Sequence, residues 1–113
     1  MRKIGLDYDF KDIDFIRSIL SNIILEFSPS VIELYISPCG RGYHIKFSVD
    51  DSYSDEDLLK IRKFFYDDEA RISMVDGVYR DVLFDIKVVD GKVMKARRLD
   101  LDSFLFCGIE REY

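Results

Sequence analysis

The sequence predicts an α+β fold in which an antiparallel sheet carries two helices on one face. Segments with the period-two alternation of strands and segments with helical spacing follow one another in the order β-α-β-β-α-β. That order is the split β-α-β, ferredoxin-like arrangement, and an extra C-terminal β-hairpin follows it. The length of 113 residues suits a single domain, residues 1–113, with one core.

The first half of the chain supplies a strand, a helix and two more strands. Residues 3–9 alternate apolar and polar side chains and predict the first strand. A helix over 10–27 follows, because apolar residues recur there every three or four positions, and a Ser-Pro-Ser segment ends it. β-branched and aromatic residues predict strands over 31–36 and 43–49, joined by a glycine-containing turn.

The second half supplies the second helix and the remaining strands. Ser54 is the expected N-cap of this helix, with Asp57 three residues on as a capping-box variant, and the helix is expected to end near residue 67. The dipeptide Asp90-Gly91 is typical of a two-residue hairpin turn. Three further strands are predicted, over residues 72–75, 82–89 and 92–99.

Composition narrows the functional classes. A net charge of −5 and a pI of about 4.8 argue against a generic basic nucleic-acid coat, but not against an enzyme whose metal-binding acids lower the total. We expect no membrane association, because no apolar run is long enough to span a bilayer and no signal peptide opens the chain. Cys39 and Cys107 have neither CxxC nor zinc spacing, which favours a reducing, cytoplasmic location and leaves a disulfide between them open.

Polar residues of the first and third strands are expected to share one sheet face. Asp7 and Asp9 have the opposite parity to the apolar residues of the first strand, and His44 and Lys46 do so in the third. The two strands are central neighbours in this topology, so these side chains should lie together on an open face opposite the helices. Two acids, the only histidine and a lysine are suited to bind a divalent metal and phosphate.

Each of these residues also has a structural interpretation. Asp7 and Asp9 are typical of acids at a helix entry, and Gly40 and Gly42 allow positive φ in a tight loop. His44 is equally well explained as a half-exposed strand residue. The tyrosines of the first and third strands share the parity of the core, so the face lacks the aromatic pair that RNA-binding sheets use for stacking.

Two segments resemble motifs of the archaeo-eukaryotic primase superfamily, the primase-polymerases. Leu6-Asp7-Tyr8-Asp9 is similar to its hydrophobic-Asp-x-Asp motif, and residues 37–45 are similar to its second motif, a serine, a glycine-rich turn and a histidine on the next strand. The segment 67–72, with Asp76 beyond it, is similar to stretches in small primase-like proteins of viruses and plasmids. The core of that family is a modified RRM-like sheet with these motifs on its face.

The resemblance implies metal-dependent nucleotide binding and nucleotidyl transfer in DNA replication, with Mg²⁺ or Mn²⁺ as cofactor. Asp7, Asp9 and His44 would be the catalytic residues, and the two acids would hold the metal with a third. Strand parity favours Asp85 as this third acid and the sequence pattern favours Asp76. The nucleotide phosphates would be bound by Ser37, Gly40, Arg41, Gly42, His44 and Lys46.

The implied partners are nucleotides and DNA, with RNA as the alternative, and a replication protein. Two other functions stay open. One is a non-catalytic nucleic-acid-binding or replication-associated module of a virus or plasmid. The other is a ferredoxin-like protein-interaction domain that acts through an edge strand or its tail.

Overall fold

The computed structural model describes residues 1–65 and 86–113, which form an α+β fold. Their antiparallel strands make a four-stranded sheet in the order β1-β3-β2-β6 and a separate two-stranded sheet of β4 and β5. The elements in chain order are β1 (Arg2–Tyr8), α1 (Ile13–Phe27), β2 (Ile32–Ile36), β3 (Tyr43–Val49), α2 (Asp55–Phe64), β4 (Ile86–Val89), β5 (Lys92–Lys95), β6 (Arg97–Leu99) and α3 (Leu101–Cys107).

The register of the larger sheet places residues of one parity on one face. β1 runs antiparallel to β3 with Ile4 opposite Phe47 and Leu6 opposite Ile45, and β2 pairs with the other side of β3 with Leu34 opposite Ile45. The predicted adjacency of the first and third strands is therefore confirmed. Among the described strands, however, β1 lies at one edge of the sheet and not at its centre.

All three helices pack on the same face of this sheet. α1 contributes Ile16 and Leu20 to the buried cluster, α2 contributes Leu58 and α3 contributes Phe104. Burial of each large apolar side chain contributes about 1.5–3 kcal/mol, so this layer supplies most of the stabilisation. The strand residues in the cluster share one parity within each strand and include Ile4, Leu6, Tyr8, Leu34, Ile36, Tyr43, Ile45 and Phe47.

α1 is defined by its caps. The Asp12 side chain accepts a hydrogen bond from the Phe15 amide, so the helix begins three residues later than predicted. It ends before Ser28, which adopts a left-handed conformation with φ 42° and returns its N–H to the Ile24 carbonyl. Ile19 of this helix is buried, whereas Ile24 is exposed.

α2 begins as the sequence predicts. The Ser54 side chain accepts from the Asp57 amide and the Asp57 side chain accepts from the Ser54 amide, which makes a complete capping box. Leu58 and Phe65 are buried. Arg62, which lies in a basic run typical of a solvated face, is completely buried as well.

The C-terminal region departs most from the prediction. The hairpin turn is confirmed, because Asp90 and Gly91 have φ of 52° and 75°, as a type I′ turn requires. The single predicted strand after it is interrupted at Ala96, so β5 pairs with β4 while β6 pairs with β2. Helix α3 was not predicted. The predicted helix end near residue 67 and the predicted strands over 72–75 and 82–85 lie outside the described residues.

Within the described residues, no helix is both long enough and apolar enough to cross a membrane. Cys39 and Cys107 are free thiols, so the disulfide that the sequence left open is not formed.

Candidate functional site

A polar row crosses the sheet on the face away from the helices. Asp7 lies directly opposite His44, His44 lies opposite Tyr35, and Tyr35 lies opposite Arg98. Side chains of directly opposed residues in antiparallel strands project from the same face. The structure therefore brings Asp7 and His44 together on the face that strand parity indicated, and it adds a tyrosine and an arginine to the row.

Asp7 and His44 form a close pair. His44 Nε2 lies 3.3 Å from Asp7 Oδ1, so the carboxylate faces one ring nitrogen of the imidazole. The sequence predicted an open face here, but His44 is only 4% exposed, and Ser48 further along β3 is buried too. The Asp7 side chain is 28% exposed. Asp7 is thus the member of the pair that a ligand from solvent reaches, while His44 supports it from beneath.

Asp9 does not lie on the strand face that the prediction assigned to it. β1 ends at Tyr8, and Asp9 follows it at an exposed bend. A Cβ atom on Gly42 would lie 1.8 Å from the Tyr8 carbonyl oxygen and 3.1 Å from the Asp9 Cα. The loop before β3 therefore packs with its backbone directly against the Asp-x-Asp segment. This contact requires glycine at position 42.

The loop between β2 and β3 is held closed by Ser37. The Gly42 amide donates to Ser37 Oγ at 3.1 Å, and the Ser37 amide donates to the Gly42 carbonyl at 2.9 Å. The Gly40 amide donates to the Ser37 carbonyl at 2.8 Å, and Gly40 has φ 73°. These three residues were predicted to bind phosphate. Both glycine amides donate within the loop and are not directed at a ligand. The expected positive φ is found at Gly40 but not at Gly42, where the close approach to the Tyr8 backbone requires glycine instead.

The two basic residues predicted for phosphate binding differ in their surroundings. Arg41 is exposed in the loop, next to the glycine that contacts the Asp-x-Asp segment. Lys46 lies two residues beyond His44 on the same face, with its Nζ 4.9 Å from the centroid of the Tyr35 ring. Arg41 is therefore the basic side chain of this loop that a phosphate reaches from solvent. Lys46 is engaged with an aromatic face.

Sequence reasoning missed the part of this face built by β2, β6 and the C-terminal segment. The Tyr35 hydroxyl donates to Glu33 Oε2 at 3.1 Å, and Arg98 approaches the same oxygen at 3.4 Å. Burial and the neighbouring Glu33 carboxylate raise the pKa of Tyr35 above its ordinary value. The guanidinium of Arg98 also stacks 3.8 Å from the centroid of the Tyr113 ring. Strand parity alone indicates Glu33 and Tyr35, whereas Arg98 requires the pairing of β6 with β2.

The carboxylates near this end of the sheet are the candidate ligands for the implied metal. In residues 1–65 and 86–113, no group of three or more histidine, cysteine or acidic side chains is placed to hold a metal ion. Asp76 and Asp85, the two candidates for the third acid, lie outside the described residues. Asp7 and Asp9 supply carboxylate oxygens on either side of Tyr8. One or two carboxylates with phosphate oxygens and water are a common site for Mg²⁺. The partly exposed Asp7 carboxylate fits such a site, and Asp9, at the bend after β1, is the second candidate donor.

No protein-family model, curated protein or solved structure matches this chain significantly.

Proposed function

We propose that this chain is a minimal primase-polymerase-like domain that binds a nucleoside triphosphate with Mg²⁺ or Mn²⁺ and acts in DNA replication. One observation supports this most. The Asp-x-Asp segment and the glycine-loop–histidine segment, far apart in the chain, meet at one end of the sheet. There Asp7 faces His44 at 3.3 Å, and Gly42 packs against Tyr8 and Asp9.

The proposal includes the way in which the strands and helices are arranged. We infer that β1, α1, β2, β3 and α2 make a split β-α-β, RRM-like unit. The pairing of β1 with β3 and the packing of both helices on one face support this arrangement. The two free cysteines support a reducing, cytoplasmic setting.

The residues would divide the work as follows. Asp7 and Asp9 would hold the metal, with Asp76 or Asp85 as the third acid. The chemistry it would supply there is neutralisation of triphosphate charge and alignment of the attacking 3′ hydroxyl. His44 orients the Asp7 carboxylate from its buried position.

Arg41 would bind phosphate oxygens from the loop. Its planar guanidinium presents several N–H donors in a geometry that matches phosphate. It lies one residue from the glycine that contacts Asp9, so its backbone is held at the same end of the sheet as the acids.

The burial of His44 favours a second candidate, the non-catalytic nucleic-acid-binding relative. A histidine that is 4% exposed does not meet a phosphate without movement of what covers it. In that case the Asp7–His44 pair stabilises the sheet, and the protein binds nucleic acid without a metal. The two candidates differ in metal dependence, which makes them separable.

Thermal unfolding with Mn²⁺ and a nucleoside triphosphate tests the primary proposal. A ligand at 100 times its Kd stabilises the folded state by about 2.7 kcal/mol, so Tm of the wild-type protein should rise by several degrees. Asp7→Asn should abolish this rise, since it removes a metal ligand and a charge but keeps the shape. Asp14→Asn is the matched control, because Asp14 is 95% exposed on α1 and should leave the rise intact.

Primer synthesis and primer extension with Mn²⁺ then separate the candidates. Extension that disappears in Asp7→Asn supports catalysis. An unchanged Tm of the wild-type protein with metal and nucleotide, together with salt-sensitive binding to single-stranded DNA, supports the non-catalytic relative. Circular dichroism of each variant without ligand checks that the loss of function is not a loss of fold.

A further inference from the structure

The segment of residues 86–98, which comprises the β4–β5 hairpin and the first two residues of β6, concentrates positive charge in an acidic chain. Residues 86–98 carry five cations against the single acid Asp90, a net charge of +4, although the whole chain carries −5. The remaining residues therefore sum to −9. The cations of this segment are Lys87, Lys92, Lys95, Arg97 and Arg98. Such segregation produces a local positive potential that attracts polyanions even when the total charge is negative.

The hairpin exposes its three lysines to solvent on both of its faces, whereas Arg97 and Arg98 lie on β6 and pair with Glu112 and Glu33. Its register places Lys87 and Lys92 on one face and Lys95 on the other, beside Ile86, Val88 and Val93. The three apolar side chains are between 58% and 65% exposed. In the described part of the chain, no carboxylate lies within ion-pair distance of the three lysines. The surface is therefore cationic with apolar side chains between the charges.

The hairpin is attached close to the candidate site at two points. Lys87 Nζ donates to Cys39 Sγ at 3.2 Å, in the loop whose Gly42 contacts Asp9. At its other end, β5 leads through Ala96 into β6, where Arg98 lies opposite Tyr35 in the polar row. A ligand along the hairpin thus continues onto the sheet face that carries Asp7.

We propose that the β4–β5 hairpin, with Arg98, binds the backbone of a single-stranded nucleic acid and guides it to the polar sheet face. The lysines would contact phosphates, and the exposed apolar side chains would contact unstacked bases. Arg98 stacked on Tyr113, which is 77% exposed, offers a cation and an aromatic ring to a base in the same way. Lysine on both faces of the hairpin disfavours a lipid surface, because insertion into a bilayer needs one face free of charge.

This inference deepens the proposed function, since the bound strand would be the template. Fluorescence anisotropy with a labelled 20-nucleotide oligo-dT, measured from about 50 to 200 mM salt, tests it. Two triple variants are compared. The hairpin triple carries Lys87→Gln, Lys92→Gln and Lys95→Gln, and the control triple carries Lys3→Gln, Lys60→Gln and Lys63→Gln. Both triples lower the net charge by the same amount, and all six lysines are exposed.

We expect the hairpin triple to bind oligo-dT at least tenfold more weakly than the wild-type protein at the lower salt concentration. Its slope of log K against log salt should be less negative by about 2, because each lost contact to a single strand removes about 0.7. The control triple should stay within about twofold of the wild type. The single variant Lys92→Glu, next to the turn, should also weaken oligo-dT binding. It tests the hairpin surface if the triple variant does not fold.

Three results would overturn the inference: no oligo-dT binding by the wild-type protein, equal losses in both triple variants, or hairpin-dependent binding to phosphatidylserine vesicles in place of oligo-dT. The rise in Tm with Mn²⁺ and nucleotide tests the proposed nucleotide site, whereas oligo-dT binding tests the hairpin surface, so the two proposals can fail independently. The hairpin triple should keep the rise. Hairpin-dependent oligo-dT binding without any rise in Tm would support the hairpin surface and contradict the proposed nucleotide site.

Discussion

At the scale of single residues, Gly42 is where the loop before β3 meets the end of β1. A Cβ atom there would lie 1.8 Å from the Tyr8 carbonyl oxygen, which belongs to the backbone and cannot rotate away. Gly42→Ala should therefore reduce the free energy of unfolding by about 1–3 kcal/mol or more through overpacking. Gly40→Ala is the comparison: nothing lies within 4 Å of its Cβ position, and only the positive φ of 73° opposes the change.

Urea unfolding of both glycine variants measures the difference. Gly40→Ala should lose about 1 kcal/mol, the cost of a side chain in the left-handed region. The close approach of the loop to β1 is contradicted if Gly42→Ala is as stable as the wild-type protein.

Glu110 ties the C-terminal segment to the core through Tyr43, whose hydroxyl donates to its carboxylate, and Lys11, whose Nζ lies 3.2 Å away. Burial raises the pKa of Glu110, but these two hydrogen bonds outweigh it and hold the pKa below the ordinary value of 4.5. The carboxylate therefore stabilises the fold above pH 4.5, and this contribution is lost as the pH falls through the lowered pKa.

The substitution Glu110→Gln should cost about 1.5 kcal/mol at pH 7, as expected for a hydrogen bond to a charged group. The deficit relative to wild type should shrink as the pH is lowered below 4.5. Chemical denaturation as a function of pH measures it, with Glu112→Gln as the control, since Glu112 pairs with Arg97 at an exposed position. A deficit that is the same at acidic and neutral pH would show that the charge of Glu110 does not contribute.

At the scale of elements, α2 depends on its capping box. The Ser54 hydroxyl satisfies the Asp57 amide, one of the donors that a helix start leaves without a partner in the helix. Ser54→Ala should lower the free energy of unfolding by about 1 kcal/mol. Ser52→Ala is the matched control, because Ser52 is exposed, lies outside α2 and donates to Asp50 and not to the helix. If urea unfolding of the two variants has the same midpoint, the Ser54 cap does not stabilise α2.

The elements of the C-terminal region show what local patterns leave undecided. The Asp90-Gly91 turn is readable from two residues, because both adopt positive φ. The break at Ala96 is different. It transfers the chain from the small sheet of β4 and β5 to the larger sheet, and only the presence of β2 as a pairing partner decides where that happens.

At the scale of the whole molecule, the fold separates an apolar layer from a polar face and a cationic hairpin. The helices cover one side of the sheet, the polar row from Asp7 to Arg98 crosses the other, and residues 86–98 hold a net charge of +4 beside it. The total charge of −5 does not indicate this uneven distribution. The average argued against a generic basic nucleic-acid coat, whereas the distribution supports the proposed surface, because a ligand responds to local potential.

The sequence by itself determined the features that depend on near neighbours in the chain. Strand parity assigned Asp7 and His44 to one face and Tyr8 and Tyr43 to the core, and the Ser54 cap set the start of α2. Each follows from the period of a strand or from a hydrogen bond within one turn.

Only the tertiary structure decided what depends on packing between distant segments. It buried His44, ended β1 before Asp9, placed Gly42 against Tyr8 and brought Arg98 beside Tyr35. The physical reason is that burial and cross-strand partners are set by which elements meet. The same alternating pattern is compatible with either edge of a sheet and with a covered or an open face.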